Sequence, residues 1–522
     1  MLQSVCAYGG MVTAPHHLAA RAGLRVLQEG GNAVEAMLAA AAVITVVYPH
    51  MNAPGGDNFW LIAEPGRAPV GIDACGAAAG MASIDFYRAQ GYDAIPSRGP
   101  LAALTVAGAV SGWARAHELA RGRLPLSRLF EDAIHLARDG VAVTATLADN
   151  AASKRDQLVD VPGFLDTYGD CMQGSRLHLP KLVATFEHLA RSGLDDFYRG
   201  DLARAMAGDL EAIGSPLRLA DLERHRALDV EPLALDVAGH TVYNMPPPTQ
   251  GLASLLLLGT FARLGVTEGE SFAHVHGLVE STKAAFRVRD RYVTDPAFMG
   301  EPATAFLDSG RLDALADSVD MRKAAPWPDA PVGGDTVWLG AVDRDGRAVS
   351  MIQSIYWEFG SGVVLPGSGV SWQNRGTSFS LDTVHHNHLL PYRRPFHTIQ
   401  PAMASLSDGR RMVYGTMGGE GQSQTQAAVF SRHAMFGQPI QQAVTAPRWL
   451  LGRTWGEDTA KLRMEGRFAP ELIEAMRKAG HDLLVVGEYE EIMGHAGGIV
   501  LHPDGLLEGA ADPRSDGAVA AC

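Results

Sequence analysis

The chain is poor in cysteine and in basic charge. Its 522 residues include only four cysteines, Cys6, Cys75, Cys171 and Cys522, and no two of them form a Cys-x-x-Cys pair. This scatter argues against a disulfide framework and against a cysteine-based zinc site, and it is typical of a reducing compartment. The net charge of −14 argues against nucleic acid or an anionic membrane surface as the main partner.

Long apolar runs are also absent. The most apolar segment, AMLAAAAVITVVYPH at 36–50, is shorter than the roughly 20 residues that a membrane-spanning helix needs, and it predicts a buried helix. The first 20 residues contain no basic stretch followed by an apolar one. We therefore expect no signal peptide, no membrane partner and a cytoplasmic location.

Apolar periodicity predicts that the first two-thirds of the chain is rich in helices and poor in strands. Residues 17–47 predict two helices interrupted at Gly30-Gly31-Asn32, with Asn32 as the cap of the second. Helical spacing dominates 109–230 and returns at 252–289. The proline-, glycine- and aspartate-rich stretch before Thr336 predicts an exposed loop or linker.

The last third has the character of β-structure. TVWLGAVDRDGRAVSMIQS predicts a hairpin that turns at Asp345-Gly346, and AGGIVLHPDGLLEGAADPR predicts another at Asp504-Gly505. The glycine-rich segment 360–369 lacks the motif of a phosphate-binding loop and predicts a strand and a turn.

Thr336 follows Gly333, Gly334 and Asp335 at the boundary between this loop and the first of these strands. A strand-starting threonine needs no special explanation, because threonine favours strands. If the chain were cut before Thr336, however, the new α-amine would have a pKa near 7.7–8.0 and could accept the proton of the threonine hydroxyl. The two glycines would supply the freedom that such a cut requires.

Two further segments can carry chemistry. Gly418 and Gly419, after the strand RRMVY, leave two backbone N–H groups unobstructed; they could stabilise an oxyanion or simply form a strand-to-helix turn. Arg375 in QNRGTSFS could hold a carboxylate in a cleft, or it could be a solvated surface residue. The histidines of VHHNH at 384–388 could suggest a metal, but they lead into the loop segment LLPYRRPFH, and we expect no metal and no cofactor.

In this order, the segments resemble the γ-glutamyltransferase family of N-terminal-nucleophile (Ntn) hydrolases along nearly the whole chain. The resemblance rests on a set of motifs: MVTAPHHLAARAGLRVLQEGGNAVEAMLAA, AGAVSGW, ARDGVAV, DDFYRGDLA, MPPPTQG, TDPAFMG, DTVWLGAVDRDGRAVSMIQS and EGAADPRSDG. It implies an α/β fold of the four-layer αββα type. It also implies a proenzyme that cuts itself between Asp335 and Thr336 into a large subunit, 1–335, and a small subunit, 336–522, which stay intertwined.

The resemblance also assigns roles at the site. Thr336 would be the nucleophile, and Ser354 the second hydroxyl residue, which hydrogen-bonds to the new α-amine. Gly418 and Gly419 match the family's oxyanion-hole pair.

The residues that hold a γ-glutamyl substrate in the family are replaced in this chain. Cys75, Tyr356 and Ser378 stand where the family has an arginine, an asparagine and an aspartate, His397 and Thr398 replace its paired serines, and Arg375 replaces a glutamine. Because an unpaired ligand charge in a closed site is costly, these replacements argue against a γ-glutamyl substrate. We take Arg375, Tyr356, Ser378, His397 and Thr398 as the candidate substrate-binding residues.

The pattern is closest to the branch of the family that contains oxamate amidohydrolases, which implies hydrolysis of oxamate to oxalate and ammonia in purine nitrogen breakdown. The alternatives are a γ-glutamyltransferase or glutathione hydrolase, a glutaryl or cephalosporin acylase, and an unprocessed binding protein. The expected partner molecule is a small carboxylated amide as substrate. Each of the two subunits is also expected to pair with the other. A homodimer is possible, and no nucleic acid is expected.

Overall fold

The computed structural model describes residues 3–327, 335–452 and 460–522, apart from the side chain of Asp335. The strands are β1 (Val5–Ala7), β2 (Gly10–Ala14), β3 (Asp57–Ala63), β4 (Val70–Ala74), β5 (Val141–Ala142), β6 (Arg176–Leu177), β7 (Leu228–Val230), β8 (Leu233–Val237), β9 (His240–Asn244), β10 (Asp335–Asp343), β11 (Ala348–Tyr356), β12 (Ala402–Ser405), β13 (Arg411–Thr416), β14 (Trp449–Leu451), β15 (Leu462–Glu465), β16 (Leu483–Val486), β17 (Ala496–Leu501), β18 (Leu507–Ala511) and β19 (Ala518–Ala521).

The α-helices alternate with these strands along the chain. They are α1 (His17–Gln28), α2 (Ala33–Val47), α3 (Ile84–Arg88), α4 (Ala109–Ala120), α5 (Leu126–Leu129), α6 (Glu131–Asp139), α7 (Ala145–Leu158), α8 (Phe164–Tyr168), α9 (Pro180–Ser192), α10 (Asp196–Arg199), α11 (Asp201–Ala212), α12 (Leu219–Arg224), α13 (Gly251–Ala262), α14 (Phe272–Tyr292), α15 (Ser309–Asp317), α16 (Gly421–Phe430), α17 (Ile440–Thr445) and α18 (Pro470–Lys478).

Two seven-stranded sheets form the centre of the molecule. One has the order β1-β18-β17-β13-β12-β9-β8 and the other has the order β19-β2-β10-β11-β3-β4-β7. The pairs within both sheets are antiparallel. Strands from both ends of the chain thus interleave, and β10 lies between β2 and β11.

The sheets pack face to face through an apolar layer that includes Trp338 and Val342 of β10 and Val413 and Ile499 of the other sheet. Trp338 fits there because the facing strands carry glycines: a Cβ on Gly415 would lie only 2.2 Å from the indole. Its Nε1 donates to Ser350 Oγ at 2.9 Å, which satisfies the buried polar atom.

Helices cover the outer face of each sheet. On β10, Val337, Leu339 and Ala341 alternate with the residues that face the other sheet, and they pack in one apolar core with α1 and α2. The second sheet packs against α13, α14 and α16 in a separate core. This arrangement is the predicted four-layer αββα sandwich.

Several elements confirm the prediction in detail. Asn32 caps α2 in a capping box with Glu35, and every residue of α2 is buried, as expected of an apolar segment that does not span a membrane. No helix in the described part of the chain is long and apolar enough to cross a membrane. Both predicted hairpins are present, as β10–β11 and β17–β18.

One prediction about strands is wrong. Segment 360–369 forms a turn held by a single bridge between Val364 and Ser371 instead of a strand. The first 335 residues are rich in helices and poor in strand residues, as predicted, although the mostly short strands β1 to β9 lie there. Several of these strands have only two or three residues, which is too short for alternation of apolar and polar residues to reveal them.

Candidate active site

The candidate nucleophile lies at an irregular step of the β10–β11 hairpin. Asp335 pairs with Tyr356, whereas Val337 pairs with Gln353, so β11 contains one residue more than β10 across this step. Thr336 is the β10 residue within it, and its side chain is fully buried. An extra residue of this kind bends a strand and re-aims its side chains, often beside an active site.

Polar side chains surround this step. Gln422 Nε2 donates to Thr336 Oγ1 at 3.4 Å, and Gln422 Oε1 accepts from the Gln400 N–H at 3.2 Å. Ser354, on β11 within the same step, accepts a hydrogen bond at 2.8 Å from the Tyr356 N–H through its Oγ. The two predicted hydroxyl residues therefore lie on paired strands of one hairpin.

Tyr356 is held in an unusual backbone conformation. Its φ is +82°, a region that costs a residue with a side chain about 1–3 kcal/mol. The ring packs against Arg375, whose guanidinium carbon lies 3.8 Å from the ring centre. This cation–π contact joins the end of the hairpin to the candidate carboxylate-binding arginine.

Arg375 begins a single 3₁₀ turn, Arg375–Ser378, and is only 1% exposed. Its Nη1 donates to Thr398 Oγ1 at 3.3 Å, but its Nη2 has no hydrogen-bond partner in the described part of the chain. Burial lowers the pKa of Arg375 to about 10, so the side chain is still a cation at neutral pH. A buried cation with an unpaired N–H favours an anionic ligand, and the surface-arginine alternative is excluded.

The sequence analysis missed Asp57, the first residue of β3. It pairs with Ser354 in the register of β3 and β11 and is buried. Its Oδ2 lies 3.5 Å from His397 Nε2. A buried carboxylate is unusual, and the sequence signal that could have identified it is an acidic residue just before the apolar run FWLIA.

Gly418 and Gly419 lie in the turn between β13 and α16, with φ angles of +120° and +50°. The Gly419 carbonyl accepts from Gln250 Nε2 at 2.9 Å, and the same nitrogen donates to the Thr398 carbonyl at 2.6 Å. Within the described residues, neither glycine N–H donates to a hydrogen-bond acceptor. The segment is thus the strand-to-helix turn considered above, with two N–H groups available to a ligand.

Ser378 is the predicted binding residue that takes part in none of these contacts. Ser378 ends the 3₁₀ turn; its Oγ is buried without a partner among the described residues, and its carbonyl accepts from Asn387 Nδ2 at 2.7 Å. The flexibility expected of Gly333 and Gly334 concerns residues outside the described part of the chain.

One cluster has metal-binding residue types. Among the described residues, His276, Glu280 and His481 bring possible ligand atoms within 4.8 Å of one another. His276 Nδ1 and His481 Nε2 already share a hydrogen bond of 2.9 Å, and the Lys283 ammonium donates to Glu280 at 2.7 Å. The cluster is a satisfied network that already contains a cation, and it gives no argument for a metal.

Comparison with known proteins agrees with this geometry. The sequence profile of the gamma-glutamyltranspeptidase family matches residues 19–522. The chain is 52% identical over 519 residues to the oxamate amidohydrolase proenzyme of Klebsiella pneumoniae, covering 98% of each chain. It is 40% identical over 525 residues to the glutathione hydrolase-like YwrD proenzyme of Bacillus subtilis, covering 99% of each.

Among solved structures, the cephalosporin acylase from Bacillus halodurans superposes with a TM-score of 0.92 at 33% sequence identity. The match covers 100% of this chain and 97% of the acylase. The αββα sandwich is therefore the Ntn-hydrolase fold of these enzymes.

Proposed function

The chain belongs to the γ-glutamyltranspeptidase family, and from that premise we propose that it is a self-processing amidohydrolase that converts oxamate to oxalate and ammonia. Its relatives are named as amidohydrolases, glutathione hydrolases and acylases, and all these names describe the hydrolysis of an amide bond. The observation that carries the choice of substrate is Arg375, a buried cation with an unpaired N–H beside the hairpin of Thr336.

Processing begins with attack of Thr336 Oγ on the carbonyl carbon of Asp335. The peptide bond between them becomes an ester, and water then hydrolyses the ester to leave the Asp335 carboxylate and a free Thr336 α-amine. The irregular pairing of β10 with β11 supports this step, because the extra residue of β11 interrupts the regular ladder opposite that peptide bond.

In turnover, Thr336 Oγ attacks the amide carbon of oxamate while the α-amine accepts its proton. The N–H groups of Gly418 and Gly419 stabilise the oxyanion of the tetrahedral intermediate. The amine returns the proton to the leaving nitrogen, ammonia departs, and water hydrolyses the ester to oxalate. Ser354 keeps the α-amine in place by a hydrogen bond.

Arg375 pairs with the substrate carboxylate through its unpaired N–H, and Tyr356 and Thr398 hold the guanidinium. In oxamate the carboxylate is bonded directly to the carbon that Thr336 attacks. A cation close to the nucleophile can therefore bind the carboxylate of this short substrate. His397 and Ser378 complete the proposed binding residues. Cytoplasmic location and a homodimer remain predictions.

The alternative substrates are γ-glutamyl amides and glutaryl or cephalosporin amides, which the names of the B. subtilis and B. halodurans relatives favour. Against a γ-glutamyl substrate stands Cys75, buried where the resemblance expects the arginine clamp. An unprocessed binding protein is the non-enzymatic alternative.

The test has two parts. On a denaturing gel, fresh protein should give two bands, and N-terminal sequencing of the smaller should begin at Thr336. Oxamate should release ammonia quickly, whereas a γ-glutamyl chromogenic amide should release no chromophore and a glutaryl amide should release no amine. A persistent single band, or turnover of the chromogenic amide alone, would contradict the proposal.

A further inference from the structure

A carboxyl–imidazole pair lies beside Arg375, and the steps proposed above do not use its carboxyl member. Asp57 Oδ1 accepts from the N–H groups of Gly76 and Gly108 at 3.0 and 2.9 Å. Its Oδ2 faces His397 Nε2 at 3.5 Å. In the part of the chain that the structure describes, Asp57 Oδ2 and both ring nitrogens of His397 are buried without a hydrogen-bond partner.

These polar atoms need a ligand. Each of the three side chains, Asp57, Arg375 and His397, is no more than 1% exposed. A buried polar atom without a partner costs about 1–3 kcal/mol, so several of them at one place indicate a site that is completed by a bound molecule.

The charges around Asp57 come from several elements. Arg375 faces it from the 3₁₀ turn and His397 from the segment before β12, while Cys75 follows β4. Arg394, which pairs with Asp73 of β4, adds to the positive field at His397. Two phenols are close: Tyr198 of α10 is near enough to respond to the Asp57 charge, and Tyr356 of β11 packs against Arg375. The site without ligand thus has Arg375 as its cation and Asp57 as the compensating anion.

A carboxylate that enters this site creates a charge problem. With Asp57 ionised, two anions would share one cation in a buried place, and like charges there repel strongly. A protonated Asp57 removes this repulsion, and its O–H can donate a hydrogen bond where the carboxylate could only accept one.

We propose that Asp57, next to His397, is a second recognition element for the carboxylate ligand beside Arg375, and that the ligand binds together with one proton on Asp57. This inference rests on the proposed carboxylate-binding role of Arg375.

Titration of the side chains agrees with it. Burial raises the pKa of Asp57 from its ordinary value to about 7, so the group changes charge close to neutral pH. Burial, with the charges of Arg375 and Arg394, lowers the pKa of His397 well below its usual range, so the proton belongs to Asp57 and the imidazole stays neutral.

Calorimetric titration of the mature enzyme with oxalate, which has no amide to cleave, tests the proposal. Titrations in two buffers with different heats of ionisation measure the protons taken up on binding. We expect uptake near zero at pH 5 and close to one above pH 7. The Kd for oxalate should be constant below about pH 7 and rise about tenfold per pH unit above it.

The informative variant is Asp57→Asn, whose amide oxygen can still accept from Gly76 and Gly108. When oxalate binds above pH 7, the variant should take up about one proton fewer than the wild-type protein, because it lacks the carboxylate of Asp57. Its Kd should also vary less with pH. Any uptake by the Thr336 α-amine remains in the variant and cancels in the comparison. The matched control is Glu64→Gln, next to the far end of the same strand, which should behave like the wild type.

Equal proton uptake by wild-type and Asp57→Asn proteins would overturn the inference. If the variant fails to fold, infrared difference spectra of the wild-type enzyme decide instead: oxalate should produce a new band of a protonated carboxylic acid, and its absence would also overturn it. If oxamate is not hydrolysed but oxalate binds with uptake that depends on Asp57, only the proposed substrate fails.

Discussion

Thr336 is the residue on which processing and catalysis are both expected to depend. Its buried hydroxyl lies at the irregular step of the hairpin, next to the peptide bond that it would attack. Thr336→Ala should give a single full-length band on a denaturing gel and no ammonia from oxamate.

Thr45→Ala is the matched control for that variant. It removes another buried threonine hydroxyl, which donates to the Ala42 carbonyl within α2, at a cost of about 1 kcal/mol in stability. This control should process normally. Two bands with full activity in Thr336→Ala would contradict the assignment of the nucleophile.

Arg375→Gln restores the residue that the family resemblance places at this position and removes the buried cation. A hydrogen bond to a charged group contributes about 1.5–3 kcal/mol, so kcat/KM for oxamate should fall roughly 10- to 150-fold. Processing should be unchanged, because Arg375 takes no part in it. A rate of ammonia release equal to the wild type at low oxamate would show that the carboxylate binds elsewhere.

The kcat for oxamate should depend on pH through the α-amine of Thr336. The amine accepts a proton only when it is neutral, and its unperturbed pKa is near 7.7–8.0. We therefore expect kcat to be low in acid and to rise with pH until the amine is deprotonated, as measured by ammonia release at saturating oxamate. A kcat that falls across this range would rule out the amine as the base.

The turn between β13 and α16 is the element on which oxyanion stabilisation depends. At φ +120°, Gly418 adopts a conformation that side chains disfavour, so Gly418→Ala should move the backbone and its N–H. Loss of one oxyanion donor typically lowers kcat 10²- to 10³-fold, and KM should change little because the donor acts on the intermediate.

Gly437→Ala is the control for Gly418→Ala. Gly437 also has a positive φ, +71°, but its added Cβ would meet open space. The variant should carry backbone strain too, milder because its φ is close to the left-handed helical region, and it should keep wild-type kcat. Equal losses in the two variants would mean that strain, rather than an oxyanion donor, explains the effect.

The interleaving of the strands decides how the whole molecule should respond to cleavage. In one sheet, β2 and β3 from the proposed large subunit flank β10 and β11 from the small one, and β19 pairs with β2 on the other side. The products should therefore coelute in native gel filtration and separate only in denaturant. Separation under native conditions would contradict the proposed pair of subunits.

The sequence by itself determined the elements whose signals are local. Periodicity and turn residues located α1, α2 and the two Asp-Gly hairpins, and the order of motifs led to the αββα sandwich. The same signals missed the shortest strands, because two or three residues are too few to show a period.

Only the tertiary structure decided what surrounds the site. Asp57, Arg375 and His397 are separated by up to 340 residues in the chain, and β3, the 3₁₀ turn and the segment before β12 bring them together. Whether Arg375 is solvated or buried, and whether Asp57 is an ordinary carboxylate or one with a raised pKa, depends on packing from all sides. An apolar run can indicate burial, as it did for α2, but the burial of a single polar side chain depends on all the elements packed around it.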